Sequence, residues 1–332
     1  MMFVNARKLA KVVLLLCAVS CATVADGQPK PQALAAKMVS TPQVFGHPSL
    51  EGIWAAPFIM PMEASAQTPE LVVPEARQRE VAAAEVTAVI KFDDKMLDPN
   101  FPELMKDTDG LPLVRGQRRT RLVVLPADGK LPYTAAALKE LNAPDEPEAI
   151  ANPEDRPAAE RCLVGYGQPP MTSFAYQNQM QIVQARDKVI LHLEYSNDLR
   201  VIPLTDTHGP AAFRGQLGDS IAHWEGDTLV IETIGLPDNS RFRFFPIFLV
   251  PGESKVIERL TRISDSELLY QFTVVDPKVY AAPWLAEFSW HKSQKPMFES
   301  ACHEGNYSLR GILAGARREE RVKATKGVSI SP

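Results

Sequence analysis

The stretch from Ala301 to Tyr307 has the highest density of potentially reactive side chains in the sequence, with a thiol, an imidazole, a carboxylate, an amide and a phenol. His303 has the chemistry of a general base, Glu304 is placed to orient it, and Tyr307 can donate a proton or a hydrogen bond. This set suits isomerisation, dehydration or lyase chemistry, so the three residues are predicted to be catalytic. In the structural alternative, they satisfy backbone groups where the chain leaves a sheet.

A second candidate base is His192, which lies two residues before Glu194 in a segment that alternates apolar and polar residues. Alternation at a period of two predicts a strand on which His192 and Glu194 share a face. If that face lines a barrel, an imidazole and a carboxylate lie together in an apolar cavity and can act in acid–base catalysis. If it faces water, they are ordinary surface residues.

A further set of side chains is predicted to bind a substrate. Arg200, Arg214, His223 and Trp224 flank the first predicted hairpins, and Trp284 begins a later strand. An arginine near an aromatic ring and an imidazole can orient a ligand that carries a carboxylate or a phenol. The alternative is that these are solvated loop charges and buried aromatic residues.

Several classes of function are excluded by what the sequence lacks. There is no Gly-x-Ser-x-Gly elbow, phosphate-binding loop or dinucleotide fingerprint, so no organic cofactor is predicted. No metal is predicted either, because Tyr307 stands where a zinc-protease helix beginning at His303 would need its second histidine. The formal charge of −4 argues against nucleic-acid binding. The arginine cluster at 115–121 is interpreted as a solvated strand end.

The N-terminus is typical of an export signal, with basic residues ahead of the apolar run Val12–Val19. Two cleavage sites compete. Residues 23–25 form a small-residue site for ordinary secretion, which gives a signal peptide at 1–27. Residues 18–21 are similar to a lipoprotein box, which gives a signal that ends at residue 20 and a lipid on Cys21. Both predict an exported protein, in the periplasm or as an outer-membrane lipoprotein of a bacterium, without a transmembrane helix.

Export leaves Cys162 and Cys302 as a pair in an oxidising compartment, and we predict that they form a disulfide. The alternative is a catalytic thiol at Cys302 beside His303. Adjacent residues on an extended chain point to opposite faces, which is a poor arrangement for proton transfer between them.

The first half of the chain is predicted to be a flexible leader at 28–48 followed by an N-terminal strand and helical wrap at 49–165. Helical periodicity or capping residues predict helices over 74–92 and 134–141. Asn152-Pro153-Glu154-Asp155 predicts a short helix that leads to the first of the paired cysteines.

Residues 166–307 consist of short alternating segments joined by turns. Hairpins are predicted at 223–233 and 255–275, and a last strand at 298–302. Hairpin-length connections predict an antiparallel meander, and a meander of this length usually curls into a barrel. A tail at 308–332 is predicted to be a C-terminal helix.

Gly52-Ile53-Trp54, at the first predicted strand, is similar to the entry motif of lipocalins and other calycins. In that family the indole closes one end of a barrel. The resemblance implies a mainly β fold, an antiparallel meander curled into a calycin-like (lipocalin-like) barrel. The alternative for this motif is an ordinary buried tryptophan at a strand start.

Four blocks resemble the signature stretches of a large group of exported bacterial proteins, and the resemblance covers residues 48–320. They are Asn152–Arg156 with Glu160–Cys162, His223–Val230, Pro283–Glu287 and Ala301–Tyr307. The resemblance implies export and a shared fold but supplies no activity. Residues 241–251 depart from it, and their apolar run predicts a ligand-facing or membrane-facing loop.

The leading hypothesis is an exported enzyme of isomerase or lyase type that acts on a small, largely apolar or aromatic molecule in a barrel pocket. A non-catalytic lipocalin-like carrier with the same pocket is one alternative. An envelope interaction module that docks through residues 242–250 is another. A cavity holding His192 or His303 beside a second titratable group favours the enzyme, and an all-apolar cavity favours the carrier.

Overall fold

Antiparallel strands are the main regular elements of the structure. The computed structural model describes residues 42–56, 60–93, 110–142, 151–172, 177–238, 242–244 and 247–327. The predicted signal peptide, its lipid-bearing Cys21 and most of the 28–48 leader lie outside these residues.

The strands are short in the first part of the chain and longer after residue 179. In chain order they are β1 (Gln43–Val44), β2 (His47–Pro48), β3 (Gly52–Ala55), β4 (Val72–Val73), β5 (Leu113–Val114), β6 (Gln117–Arg119), β7 (Val123–Leu125), β8 (Gln179–Gln184), β9 (Lys188–Leu193), β10 (Leu199–Pro203), β11 (Asp219–Glu225), β12 (Thr228–Ile234), β13 (Phe242–Phe244), β14 (Ile247–Leu249), β15 (Lys255–Arg262), β16 (Glu267–Val275) and β17 (Leu285–Lys292). The helices are α1 (Gln78–Asp93), α2 (Ala135–Leu141), α3 (Cys302–Gly305) and α4 (Tyr307–Gly327).

One sheet of ten strands in the described chain carries the fold. Nine of them follow the path β10-β9-β8-β3-β17-β16-β15-β12-β11, and β7 pairs with β17 beside it. Every neighbouring pair on the path is antiparallel. The predicted mainly antiparallel β class is therefore confirmed. β3, from the predicted 49–165 segment, lies inside the sheet that residues 166–307 largely build.

The two ends of this path, β10 and β11, lie side by side. Because nine strands alternate in direction, the first and the last run the same way, so an antiparallel ladder cannot join them. One isolated parallel bridge, between Leu204 and Ala222, connects them in the described chain. We call this junction the seam. Residues 204–218 carry the chain back from the end of β10 to the start of β11, as a parallel arrangement requires.

His208 fixes this return connection on the outer face of the sheet. Its Nδ1 atom lies 3.1 Å from Oδ2 of Asp219 on β11, and its Nε2 atom lies 3.3 Å from Oε1 of Glu232 on β12. Gly209 donates its backbone N–H to the same Asp219 oxygen at 2.9 Å. The imidazole thus bridges two neighbouring strands next to the seam.

Large apolar side chains fill the inner face of the sheet. On β16, Leu268, Tyr270, Phe272 and Val274 are buried on the same face, as the alternation predicts. Trp54, from the lipocalin-like motif, is also fully buried. Each such aromatic ring removes roughly 150–250 Å² from water, so burial on this face is a main source of stability.

A small sheet of order β4-β6-β5 packs near the outer face of β17. Arg119 on β6 is buried and pairs with Glu287 on β17 at 2.9 Å. Arg121 is also buried, and its guanidinium donates to backbone carbonyls. The prediction of a solvated arginine cluster is therefore wrong for these two residues, because both find internal acceptors.

The predicted helices are present with small shifts of their ends. The 74–92 helix is α1, and the 134–141 helix is α2, where Thr134 accepts the N–H of Ala137 as the N-cap. A short 3₁₀ turn spans Pro153–Asp155. The predicted C-terminal helix is α4.

The last predicted strand, at 298–302, is wrong. The backbone N–H of Phe298 donates to the Glu194 carboxylate at 2.8 Å rather than to a neighbouring strand. The chain then turns, and Cys302 begins α3. Local turn bonds therefore replace the expected ladder.

The predicted disulfide is confirmed. Cys162 and Cys302 are joined with an S–S distance of 2.03 Å and a Cα–Cα distance of 5.7 Å. This bond uses the sulfur that the alternative reading assigned to catalysis, so Cys302 is not a free nucleophile. It also ties α3 to the segment around Cys162, which precedes β8.

The apolar run at 241–251 contributes to the core over its second half. Phe248, Leu249 and Val250 are buried, so the prediction of a membrane-facing loop is wrong for these three positions. Residues 241, 245 and 246 lie outside the described residues. Within the described chain, none of the helices has the length and apolar character needed to cross a bilayer.

Candidate functional site

The predicted catalytic set from the Ala301–Tyr307 stretch lies on the protein surface. His303 and Glu304 are exposed on α3, and the Tyr307 side chain, at the start of α4, is 81% exposed. They were expected at a strand end that opens into the barrel. Because this stretch is helical, the three side chains do not enter the sheet interior.

His192 also points away from the interior. Val189, Leu191 and Leu193 are the buried residues of β9, so His192 lies on the opposite, outer face and is only half-buried. Glu194 follows the end of the strand, where its carboxylate accepts the N–H of Phe298. The predicted pairing of His192 and Glu194 in a cavity is therefore not formed.

The predicted substrate-binding residues separate into two groups. Arg200 and Trp224 lie on the inner face of the sheet, and Trp284 is buried in an aromatic cluster with Phe272 at 5.8 Å between ring centroids. Arg214 and His223 are exposed, and His223 lies 3.2 Å from Glu225 on the outside of β11. Arg200 belongs to a buried ion pair and Trp224 lines a pocket, and these are the two interior features considered as sites.

The first feature is a buried ion pair between Arg200 on β10 and Glu258 on β15. Its distances are 2.9 Å from Nη1 to Oε1 and 2.5 Å from Nη2 to Oε2, so the pair is bidentate. The side chains are 1% and 0% exposed. Burial alone would lower the pKa of Arg200, but the Glu258 carboxylate leaves that pKa raised, so the guanidinium stays charged.

Neighbouring hydroxyl groups add hydrogen bonds to this pair, although the buried Nε atom of Arg200 has no partner among the described residues. Tyr270 donates to Oε1 of Glu258 at 2.6 Å, and burial together with that carboxylate raises the pKa of the phenol well above its usual value. Nη2 of Arg200 donates to Ser220 at 3.2 Å and Thr233 at 3.4 Å. Because these residues come from β10, β11, β12, β15 and β16, the network spans the seam from the inside.

Residues 164–172 close the end of the sheet next to this network. Oδ2 of Asp198 accepts the N–H groups of Gly165 and Gly167 at 2.8 and 2.9 Å, and the Tyr270 hydroxyl accepts the N–H of Met171 at 2.7 Å. A Cβ on Gly167 would lie 2.6 Å from the Asp198 side chain, so this approach requires glycine. Burial raises the pKa of Asp198 to about 6, against the lowering effect of the two N–H groups and Arg200.

The second feature is a pocket at the other end of the interior, which we call the Trp224 pocket. Its enclosed volume is about 50 Å³, and the solvent-open mouth brings the total space to about 300 Å³. Its walls come from the β1–β2 hairpin, the β8–β9 turn, the end of β10 and the inner face of β11. The residues that matter most are Val44, Phe45, His47, Arg186, Leu204 and Trp224.

Aromatic and cationic groups dominate this pocket. The His47 ring stacks on Trp224, with centroids 4.4 Å apart and planes 4° apart. The Arg186 guanidinium lies 5.3 Å from the centroid of the Phe45 ring. Gln184 anchors the base of the hairpin by donating to the Pro48 carbonyl at 3.3 Å.

Sequence reasoning missed Glu258, Tyr270, Asp198, His47 and Arg186 as site residues. The sequence predicts a cross-strand ion pair for Glu258, but it does not identify the buried partner Arg200. A signal for it existed, because it lies between two inward positions of β15, Val256 and Leu260, where a charge needs a buried partner. His47 and Arg186 gave no such signal, since only the fold brings them together.

Within the described residues, no group of three or more metal-ligating side chains could hold a metal ion. Neither the protein-family models nor the curated proteins include a match to this chain. The buried ion pair and the Trp224 pocket are therefore the features from which a function can be inferred.

Removing one partner of the buried ion pair should destabilise the fold strongly. We expect Arg200→Met to lower the free energy of unfolding by about 3–5 kcal/mol, because Glu258 remains buried without its counter-charge. The double variant Arg200→Met/Glu258→Leu should recover most of this loss, since both charges are gone. Urea denaturation gives the free energy of unfolding of the wild type, the single variant and the double variant.

Arg259→Met is the matched control, because it breaks a surface pair with Glu225 at 2.8 Å. Its effect should stay below about 1 kcal/mol. If Arg200→Met were as mild as this control, or if the double variant were no more stable than the single one, the assignment of a strongly coupled buried pair would be wrong.

Asp198 should make stability depend on pH. Its pKa is raised from 3.8 to about 6, so the folded state holds this proton more tightly than the unfolded state. The resulting stabilisation is complete below about pH 4 and is lost as the pH rises to about 6, a change of about 3 kcal/mol. Asp198→Asn keeps an acceptor for the glycine N–H groups but does not titrate.

The measurement is the difference in free energy of unfolding between Asp198→Asn and the wild type from pH 4 to pH 7. As the pH rises, the free energy of unfolding of Asp198→Asn should increase by about 3 kcal/mol relative to that of the wild type. Asp227→Asn, in the exposed β11–β12 turn, should give a flat difference. A flat difference for Asp198→Asn would contradict the raised pKa.

Proposed function

We propose that the protein is a small-molecule carrier that takes a small, largely apolar or aromatic molecule into the mouth of a calycin-like barrel. The observation that carries this proposal is the Trp224 pocket, which lies where inward-facing residues meet the end of the sheet. Its lining contains apolar side chains such as Val44 and Leu204 beside polar groups on Gln184 and Arg186, and polar groups of this kind orient a ligand. The mouth of a β-barrel is a common place for such pockets.

The barrel itself is part of the proposal. Support comes from the seam, where β10 and β11 touch at one parallel bridge, and from Arg200, which reaches across it to β11 and β12. Nine strands on one path differ from an all-antiparallel eight-stranded barrel, and in this proposal side chains join the two ends in place of a ladder.

Binding is favoured over catalysis because the predicted catalytic groups do not converge. His303, Glu304 and Tyr307 lie on surface helices, and His192 lies on the outer face of β9. Among the residues placed around the Trp224 pocket, His47 is the only general-base candidate and no carboxylate accompanies it. A general acid and base need a shared substrate position.

An isomerase or lyase activity is the second candidate, and Asp198 is the observation that favours it. A carboxyl group whose pKa is raised to about 6 by burial is suited to exchange protons near neutral pH. In that function, Asp198 would be the base, and Arg200 would polarise an oxygen of the substrate after residues 164–172 move.

The proposed location is the periplasm or the outer-membrane surface of a bacterium. The Cys162–Cys302 disulfide is compatible with an oxidising compartment. Reduction of this bond is not expected in such a compartment, so it would hold α3 in place throughout the life of the protein.

Binding at the Trp224 pocket can be tested with the neutral aromatic dye N-phenyl-1-naphthylamine. Wild-type protein should enhance its fluorescence in a saturable way, and Trp224→Ala should weaken binding by about tenfold because a stacking surface is lost. Phe298→Ala is the matched control, since that ring is 68% exposed and outside the pocket.

Equal affinities for wild type and Trp224→Ala would contradict a ligand site at this pocket. Mass spectrometry of molecules that co-purify with the protein from its native envelope would then identify the natural ligand class. Saturable dye binding near Asp198 that does not depend on Trp224 would favour the isomerase or lyase function instead.

A further inference from the structure

The β1–β2 hairpin holds an aromatic ring of the protein itself in the position where a ligand would stack. The His47 imidazole lies on the Trp224 indole at 4.4 Å with an interplanar angle of 4°. This is a nearly parallel arrangement, which shows that the indole face accepts a flat ring. An occupied stacking face also explains why the open space beside it is small.

The hairpin that carries His47 is held at its base rather than at its tip. Gln184 bonds to the Pro48 carbonyl at 3.3 Å and accepts the Leu50 N–H at 2.6 Å. The tip residues Phe45 and Gly46 are exposed and have φ values of 51° and 86° in a tight turn. In the described chain, two residue pairs join β1 to β2, and the Ser49 N–H donates to the Pro42 carbonyl at 2.7 Å, so the backbone bonds lie at the base of the hairpin.

The permanent charge around the pocket is positive. Arg186 is the only residue with a permanent charge among those that the structure places around it. Its guanidinium lies over the Phe45 ring at 5.3 Å, and the described residues supply it with no carboxylate partner. A guanidinium can form two parallel hydrogen bonds to a carboxylate, which a neutral ligand cannot match.

We propose that the Trp224 pocket selects a flat aromatic anion, and that the His47 ring is an intramolecular occupant which leaves with the hairpin tip when the ligand binds. The ligand ring takes the stacking position on Trp224. Its carboxylate or phenolate oxygen meets Arg186. This inference rests on the proposed carrier function and adds the charge of the ligand and the mode of entry.

The test uses 2-naphthoate and its neutral counterpart 2-naphthamide with four proteins: wild type, His47→Ala, His47→Phe and His47→Ala/Arg186→Gln. Isothermal titration calorimetry gives the dissociation constants. Removing the competing ring in His47→Ala should tighten 2-naphthoate binding by about tenfold. His47→Phe keeps a ring that can stack, so its affinity should stay close to that of wild type.

The Arg186→Gln change should weaken 2-naphthoate at least tenfold while leaving 2-naphthamide within about twofold, because only the anion loses a charged partner. Thermal unfolding of each variant establishes that it is folded. His47 lies on a two-residue strand outside the large sheet, so these variants should retain the fold.

Equal affinities of His47→Ala for the anion and the amide would overturn the anion selectivity but leave the carrier function intact. Weaker binding of both compounds to His47→Ala would overturn the displacement, since His47 would then be part of the wall. If neither compound binds any variant although the neutral dye still binds at Trp224, the inference fails alone. Loss of dye binding as well would reject the carrier function itself.

Discussion

The Arg200 guanidinium crosses from β10 toward β15 on the inner face of the sheet, and on its way it bonds to hydroxyl groups of β11 and β12. These are the strands on the far side of a seam that has a single backbone bridge in the described chain. Because nine strands alternate in direction, the two ends can meet only in the parallel sense, and side chains add to the single backbone bridge between them. A buried charge pair suits this role because separating its members exposes each to an unpaired, desolvated state.

The two ends of the sheet interior differ in how tightly they are covered. Next to the ion pair, Asp198 and Tyr270 hold residues 164–172 by three backbone N–H groups, which seals that end. At the other end the cover is the β1–β2 hairpin, which is fixed at its base by Gln184. The tightly held end is suited to stability and the loosely held end to ligand entry, which places the proposed carrier site at Trp224.

Local sequence patterns predicted much of the fold. The hairpins, α2 with its Thr134 cap and the Cys162–Cys302 bond follow from periodicity, capping and compartment, each of which depends on near neighbours or a simple pairing. The site did not follow from such patterns. Glu258 meets Arg200 from 58 positions away, and His47 reaches Trp224 across most of the chain, so only the completed fold brings them into contact.

The reactive-looking stretch at Cys302–Tyr307 failed as a catalytic prediction for a specific reason. Its residue types are suited to acid–base chemistry, but they could act together only on an extended chain that opens into the predicted barrel. The N–H groups of Gly305 and Asn306 donate to the carbonyls of Ala301 and His303, which makes the stretch helical, and the disulfide ties it to Cys162. Residue spacing in sequence therefore indicated the chemistry available but not the surface on which it lies.

Native-state hydrogen exchange on Arg200→Met tests most directly whether the ion pair holds the seam. If it does, amide protection in the variant should fall first and furthest in β10 and β11, while the β15–β16 ladder keeps protection up to the remaining free energy of unfolding. Equal loss of protection in all strands of the large sheet would contradict the account, because the pair would then stabilise the fold only globally.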